Sequence, residues 1–249
     1  MSWVLVTGAG KRLGRAVAIE AGARGWDVVV HYNSSKADAE ETAAEIRAKG
    51  SKAALVKADL SALDDGDAVI AAARKAAGEP LSALINCAAI FEWDDVKTFT
   101  PDLMRKHIET NALAPTTLSL AFAKSIGAHE RGAIVNFLDF KLASPYPDHF
   151  SYTLSKYTLA GATEMMARSL APRVRVNAVA PGYILPAPGQ PEADHERLHA
   201  QNPLHHGATT WDVADAVLFL LANPAITGQT IFVDSGLRFQ SHERDFAFR

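Results

Sequence analysis

The stretch VLVTGAGKRLGRAVA (4–18) constrains the fold more than any other part of the chain. A short apolar run ends among glycines at positions 8, 10 and 14, and a helical pattern begins inside the turn. Glycines so placed permit a tight turn, let main chain approach a pyrophosphate and let helix pack on strand. The helix N-terminus then offers N–H groups and the positive end of its dipole to phosphate. A glycine turn alone says little, but one that follows the first strand and opens a helix is a specific signal. It implies a chain of strand–helix units on a parallel sheet that holds a dinucleotide; the alternative is a tight turn with no ligand.

The remaining sequence continues the alternation. Strand candidates occupy 3–8, 27–32, 53–60, 83–88, 133–139, 173–182 and 229–234, and most are continuous apolar runs, as expected of strands buried on both faces. Amphipathic helices are expected near 13–24, 36–49, 62–77, 101–127, 150–171 and 212–222. This order predicts the α/β class: one Rossmann-like, doubly wound parallel sheet of about seven strands with helices on both faces, as a single domain over 1–249. The Pro-rich interval from 181 to 207 follows a strand end, where open α/β sheets bind ligands, so 182–210 is expected to cover substrate. The tail, 239–249, carries two Phe beyond Gln240 and mixed charge; fraying, or packing on a neighbouring subunit near its active site, are both open to it.

Composition narrows the classes of function. A formal net charge of -3 provides no basic field for nucleic acid or an anionic membrane. The lone Cys87 excludes an internal disulfide framework and suits a reducing cytoplasm. No apolar run approaches the ~18–20 residues that span a bilayer, and MSWVLVTGAG lacks the basic start of a secretory signal. The expectation is a cytoplasmic protein.

Lys11 and Arg12 place two cations inside the glycine turn, which suggests an anion beyond the diphosphate. An acidic residue about 20 positions beyond the motif would bind the ribose of NAD. Tyr32, Asn33, Ser34 and Ser35 stand there instead, and none would repel a 2′-phosphate. NADP(H) is therefore the expected cofactor, with a solvated surface pair as the alternative for the two cations. Asp59 and Leu60 end the third strand candidate, where a carboxylate can accept from an adenine amino group. Asn86 and Ala88, in NCAA, end the fourth, where small residues let main chain lie against a ribose. Cys87 reads as a small buried hydrophobe.

TGAGKRLG, NCAA, Asn111 in HIETNALAP, YTLSK, VRVNAVAPG and ITGQTIFVDSG occur in the order seen in the short-chain dehydrogenase/reductase family, and the chain resembles that family over about 3–238. The resemblance implies a seven-stranded Rossmann-like sheet, a nicotinamide cofactor and a homotetramer built by helix pairing. It implies cofactor contacts at Gly8, Leu13, Pro181, Gly182 and Ile184, and a catalytic set of Asn111, Tyr152 and Lys156. Tyr152 and Lys156, four apart on one helix, face the same side. An ammonium there is expected to ease proton transfer from the phenol and to hold the nicotinamide ribose; Asn111 is expected to hold the local helix and a water.

Three departures are more informative. Arg12 stands where most members have Gly, Asp139 where most have Ser, and Phe91 lies just past the fourth strand. Together they resemble the pteridine reductases and bacterial dihydromonapterin reductases. That likeness implies a pteridine substrate, stacked on Phe91, touched by Arg12 and served by Asp139 and Tyr152. A ketone reducer protonates an oxygen that becomes an alkoxide, which an ionised Asp would repel. At a C=N bond the nitrogen gains a proton and the developing species is iminium-like, which a carboxylate favours. Two other readings remain: a carbonyl reductase acting on an acyl thioester, sugar or other ketone, and a non-catalytic NADP-binding sensor. HERLH (195–199) matches the zinc-protease pattern H-E-x-x-H, but it is a polar segment in a Pro-rich stretch. It is expected to form a short lid helix, so no metal is expected.

Overall fold

A computed structural model describes residues 2–61, 63–186, 191–241 and 243–245. Seven parallel strands form one sheet: β1 (Trp3–Val6), β2 (Asp27–Tyr32), β3 (Ala53–Lys57), β4 (Leu81–Asn86), β5 (Gly132–Phe137), β6 (Val174–Pro181) and β7 (Thr230–Val233). Their order is β3-β2-β1-β4-β5-β6-β7, so the chain reverses its direction of winding between β1 and β4. Val6 pairs with Val30 on one side and Ile85 on the other, which brings the ends of β1, β2 and β4 level. A crevice at that switch point is where open α/β sheets hold ligands.

The helices are α1 (Arg12–Ala23), α2 (Lys36–Ala48), α3 (Gly66–Ala77), α4 (Pro101–Ile108), α5 (Ala114–Ser125), α6 (Phe150–Leu170), α7 (Glu192–His199) and α8 (Thr210–Ala222). Strand side chains alternate between two apolar layers. Val4 and Val6 pack with Val17 of α1, Ile46 of α2 and Val217 of α8. Trp3 and Leu5 pack with Ile70 of α3, Phe122 of α5 and Met166 of α6 on the opposite face. Burial on both faces explains why the strands read as unbroken apolar runs.

The expected elements are all present, with shifts at their ends. The third strand stops at Lys57 rather than 60, and its helix starts at Gly66, capped by the Asp65 carboxylate accepting from Ala68 N–H. The helix expected over 101–127 is α4 and α5 joined by a π-helical turn, Glu109–Leu113. Pro115 accounts for the interruption: an α-helix would use the N–H of residue 115 to satisfy the carbonyl of Asn111, and proline has none. Among the described residues, no helix is long and apolar enough to cross a membrane, and no cluster of three or more His, Cys, Asp or Glu could hold a metal.

Within the expected lid, residues 187–190 lie outside the described residues. HERLH forms most of α7, with acidic residues in its first turn. Leu198 buries against Phe140, Tyr146 and Leu237. His199 Nε2 lies 2.6 Å from the Tyr183 carbonyl, and the His195 and His199 rings pack at 3.9 Å. This helix is thus fastened to the loop that carries Asp139.

Candidate active site

The glycine turn is built as a cradle. A Cβ on Gly14 would lie 2.4 Å from the Gly8 carbonyl oxygen, and Gly8, at φ +66°, faces Ala88 so closely that a Cβ would lie 2.9 Å from its Cα. No side chain caps α1, unlike α3 and α8, and no acidic residue stands in its first turn. Its first N–H groups are therefore unclaimed by side chains and face the cavity beside the turn, as an anion site requires. The residues present thus fit a dinucleotide diphosphate.

Two residues that sequence reasoning missed hold this cradle. Thr7 Oγ1 accepts from the N–H groups of Cys87 and Ala88, both at 3.0 Å, and so locks the end of β4 to the turn. His31 accepts from Gly8 N–H through Nδ1 at 3.1 Å, and its Nε2 lies 3.2 Å from the Ala58 carbonyl. That pairing fixes a neutral imidazole with its proton on Nε2, and burial pulls the His31 pKa down to about 4 from 6.5. Between those values the unfolded chain binds the proton and the folded one does not. Stability is therefore full above about pH 6.5 and falls as pH drops toward 4, by roughly 3 kcal/mol in all. Thermal melts across this window are expected to show that loss, and His31→Gln is expected to flatten it.

Arg12 has φ +49°, a conformation that costs a non-glycine residue on the order of 1 kcal/mol. This explains why Gly suits the position and implies that the guanidinium has a use. It donates to the Pro186 carbonyl at 3.0 Å, reaching from the turn toward the lid, and it lines the cavity with Lys11 and Leu13. Lys11 pairs with Asp38 at 3.1 Å on the surface. Asn33 and Ser34 are exposed beyond β2, and Tyr32 packs its ring on the core. Asp59 is held below the usual carboxylate range by hydrogen bonds from Ser61 main chain and side chain, with Asn33 adding to them. Leu60 is a core residue, leaving only its main chain for a cofactor. The Asn86 side chain points inward to Asn136, Ser119 and the Pro115 carbonyl, so it too has only main chain to offer. Burial pushes the Cys87 thiol up to about 12, which leaves it inert.

Beside the cradle lies a cavity of about 600 Å³ that also takes in Phe91, Asp139, Tyr152, Lys156, Pro181, Gly182 and Ile184. Asp139 follows β5 and caps a short 3₁₀ turn, Phe140–Leu142, accepting from Lys141 N–H at 2.9 Å. The Tyr152 hydroxyl donates to Asp139 at 2.9 Å. Lys156, one turn on in α6, donates to the Phe137 carbonyl at 2.7 Å, with its ammonium 5.5 Å from the Tyr152 ring centre. Asn111, in the π turn, bonds both the N–H and the carbonyl of Ile90, at 2.9 and 3.0 Å, and Ser155 Oγ at 3.1 Å. Its side chain thus ties α6 to the loop before Phe91 instead of reaching the cavity.

The electrostatics differ from expectation. Burial, then the charge of Asp139, raises the Tyr152 pKa well above its ordinary value, and the Lys156 ammonium does not offset them. Lys156 is itself lowered to about 8 by burial. Burial also raises Asp139, against the pull of Lys141. The phenol therefore keeps its proton and donates it in a hydrogen bond to Asp139. Phe91 is 54% exposed; its ring stacks on His149 at 3.8 Å and meets Tyr152 edge-on at 4.6 Å.

Within the tail, Arg244 pairs with Asp148 of its own chain, and Asp245 lines the cavity and pairs with Lys141 at 2.8 Å. Phe246 and Phe248 lie outside the described residues. Lys141 itself escaped notice, although a cation two residues past Asp139 was a readable signal.

Comparison with known proteins agrees with this geometry. The family model described as Enoyl-(Acyl carrier protein) reductase matches residues 8–238. The 3-oxoacyl-[acyl-carrier-protein] reductase FabG of Staphylococcus aureus is 32% identical over 249 residues, covering 94% of this chain and 96% of its own. Pteridine reductase 1 of Leishmania tarentolae is 31% identical over 277 residues, covering 93% and 94%. The crystal structure of FolM alternative dihydrofolate reductase 1 from Brucella canis, complexed with NADP, superposes with a TM-score of 0.91 at 33% identity, over 98% of this chain and 96% of that one. With its seven-stranded sheet, glycine cradle and Tyr152–Lys156 pair, the chain belongs to the short-chain dehydrogenase/reductase family of NAD(P)H-using oxidoreductases.

Proposed function

We propose that the protein is an NADPH-dependent reductase that converts a dihydropteridine, 7,8-dihydromonapterin or a dihydrofolate-like relative, to its tetrahydro form. The observation that carries this reading is the 2.9 Å hydrogen bond from Tyr152 to a carboxylate, Asp139. The FolM and pteridine reductase relatives support it. NADP rather than NAD is favoured because no carboxylate ends β2, where Asn33 and Ser34 are exposed, and because Lys11 stands at the turn.

When bound, NADPH supplies a hydride for the carbon of the substrate's C=N bond. The protein must then deliver a proton to the adjacent nitrogen. Tyr152 holds that proton at the cavity wall and gives it to the nitrogen, with Asp139 orienting the hydroxyl; the phenolate left behind regains a proton from solvent as product leaves. The charge of Asp139 favours positive charge developing at the ring nitrogen. Lys156, whose ammonium donates to the Phe137 carbonyl, would hold the nicotinamide ribose. Phe91, backed by His149, offers a flat wall for a heteroaromatic ring, and Arg12 closes the slot toward the lid.

Reduction of a ketone is the second reading, favoured by the FabG relative. Against it, an alkoxide would form beside Asp139 and be repelled. NADPH oxidation measured with dihydromonapterin, dihydrobiopterin, dihydrofolate and a ketone panel separates the two. Activity is expected on the pterins; activity confined to ketones would overturn the proposal, and NADPH binding without turnover of any of them would indicate a sensor. A homotetramer formed by helix pairing belongs to the same proposal, supported by exposed Leu120 on α5 and Leu154, Tyr157 and Met165 on α6.

A further inference from the structure

We propose that Asp245 is a specificity-determining residue, a second carboxylate on the substrate slot that accepts hydrogen bonds from the amino–amidine edge of a heterocycle. The inference deepens the dihydropteridine reading and rests on it.

The tail is anchored by design of the fold. Arg244 makes a paired contact with Asp148, at 2.8 and 2.9 Å, and Asp245 N–H donates to the same carboxylate at 2.8 Å. Trp93 Nε1 donates to it as well, at 3.0 Å. Asp148 is 1% exposed and directly precedes His149, the residue that backs the Phe91 ring. One buried carboxylate thus fixes both the tail and the aromatic wall.

The anchored tail delivers Asp245 to the cavity lining, where it is only 7% exposed. Its Oδ2 takes the Lys141 ammonium at 2.8 Å and the Tyr146 hydroxyl at 3.1 Å. A carboxylate so buried needs a paired cation, and Lys141 provides it. The main-chain N–H of Lys141 meanwhile holds Asp139. The reacting carboxyl and the tail carboxylate are therefore set by the two ends of one residue.

Chemistry decides what such a wall selects. An ionised carboxylate only accepts hydrogen bonds. An acyl thioester or a simple ketone presents acceptors to it and gains nothing. A 2-amino pteridine presents adjacent N–H donors and gains charge-assisted bonds, which are stronger than neutral ones. A site built around buried acceptors also discriminates sharply against analogues that lack the donors.

The test uses binding without turnover, on the full chain in complex with NADP⁺. Fluorescence titration compares pterin (2-amino-4-oxopteridine) with pteridin-4-one, which keeps N3–H but lacks the 2-amino donors, in the wild type, Asp245→Asn and Arg244→Ala. The wild type is expected to prefer the 2-amino compound by about tenfold or more, as one charge-assisted hydrogen bond implies. Asp245→Asn is expected to erase most of that preference, and Arg244→Ala, which loosens the anchor but keeps the carboxylate, to erase part of it. NADP⁺ affinity within about twofold of wild type and a single cooperative melt, even at a lowered midpoint, establish that both variants are folded. Equal binding of the two compounds by the wild type, or a preference that survives Asp245→Asn, would overturn the inference. If the contrast holds while no dihydropterin is reduced, the proposed reaction fails and the recognition role of Asp245 stands.

Discussion

Replacing Tyr152 with Phe is expected to lower dihydropterin turnover by roughly 10²–10⁴-fold, the range over which a positioned proton donor contributes. NADPH affinity is expected to stay within about twofold, because the ring remains and only the hydroxyl is lost. The phenol is buried, its pKa is raised well above the ordinary value, and its one described hydrogen bond runs to Asp139. It is therefore a retained proton at the cavity wall rather than a phenolate. The substitution also leaves Asp139 without its donor, so part of the loss reflects a disturbed carboxyl. Steady-state kinetics together with cofactor titration by fluorescence check the result. Full retained activity would remove Tyr152 from the mechanism.

Asp139→Ser is the more discriminating substitution. It is expected to lower kcat/KM for dihydropterin by about 10- to 100-fold, the equivalent of one hydrogen bond to a charged group. Activity toward a small ketone is expected to rise or appear. Serine is a competent cap for the 140–142 turn, so that turn is expected to persist while the charge goes. The negative charge that opposes an alkoxide is removed, and a neutral donor that suits it takes its place. A parallel fall on both substrate classes would mean that Asp139 is structural.

Much of this was legible from residue order. The glycine turn and the alternation of apolar runs imply the seven-stranded sheet because burial on both faces leaves a direct mark on composition. Tyr152, Lys156 and Asp139 meet because each sits at or just past the C-terminal end of a strand or on the helix that follows it. What escaped is what depends on long-range packing. His31 sits inside a strand and reads as an ordinary buried residue, yet its ring holds Gly8 across the turn. The π turn around Asn111 is foreshadowed only by Pro115. The pKa directions of Tyr152, Lys156 and Asp139 were not legible because periodicity shows which residues share a face and not how deeply they are buried, and burial leads in all three. The tail was unreadable because its partners, Asp148, Lys141 and Tyr146, lie about 100 residues earlier, and nothing local links them.

The central claim, that this site reduces C=N rather than C=O, is tested most directly by following the label from NADPH deuterated at the transferring position. With 7,8-dihydromonapterin, the account predicts one deuterium on the ring carbon of the former C=N bond, seen by mass spectrometry and NMR of the tetrahydro product. Absence of label from the pterin, with deuterium instead on the carbinol carbon of a reduced ketone, would contradict it.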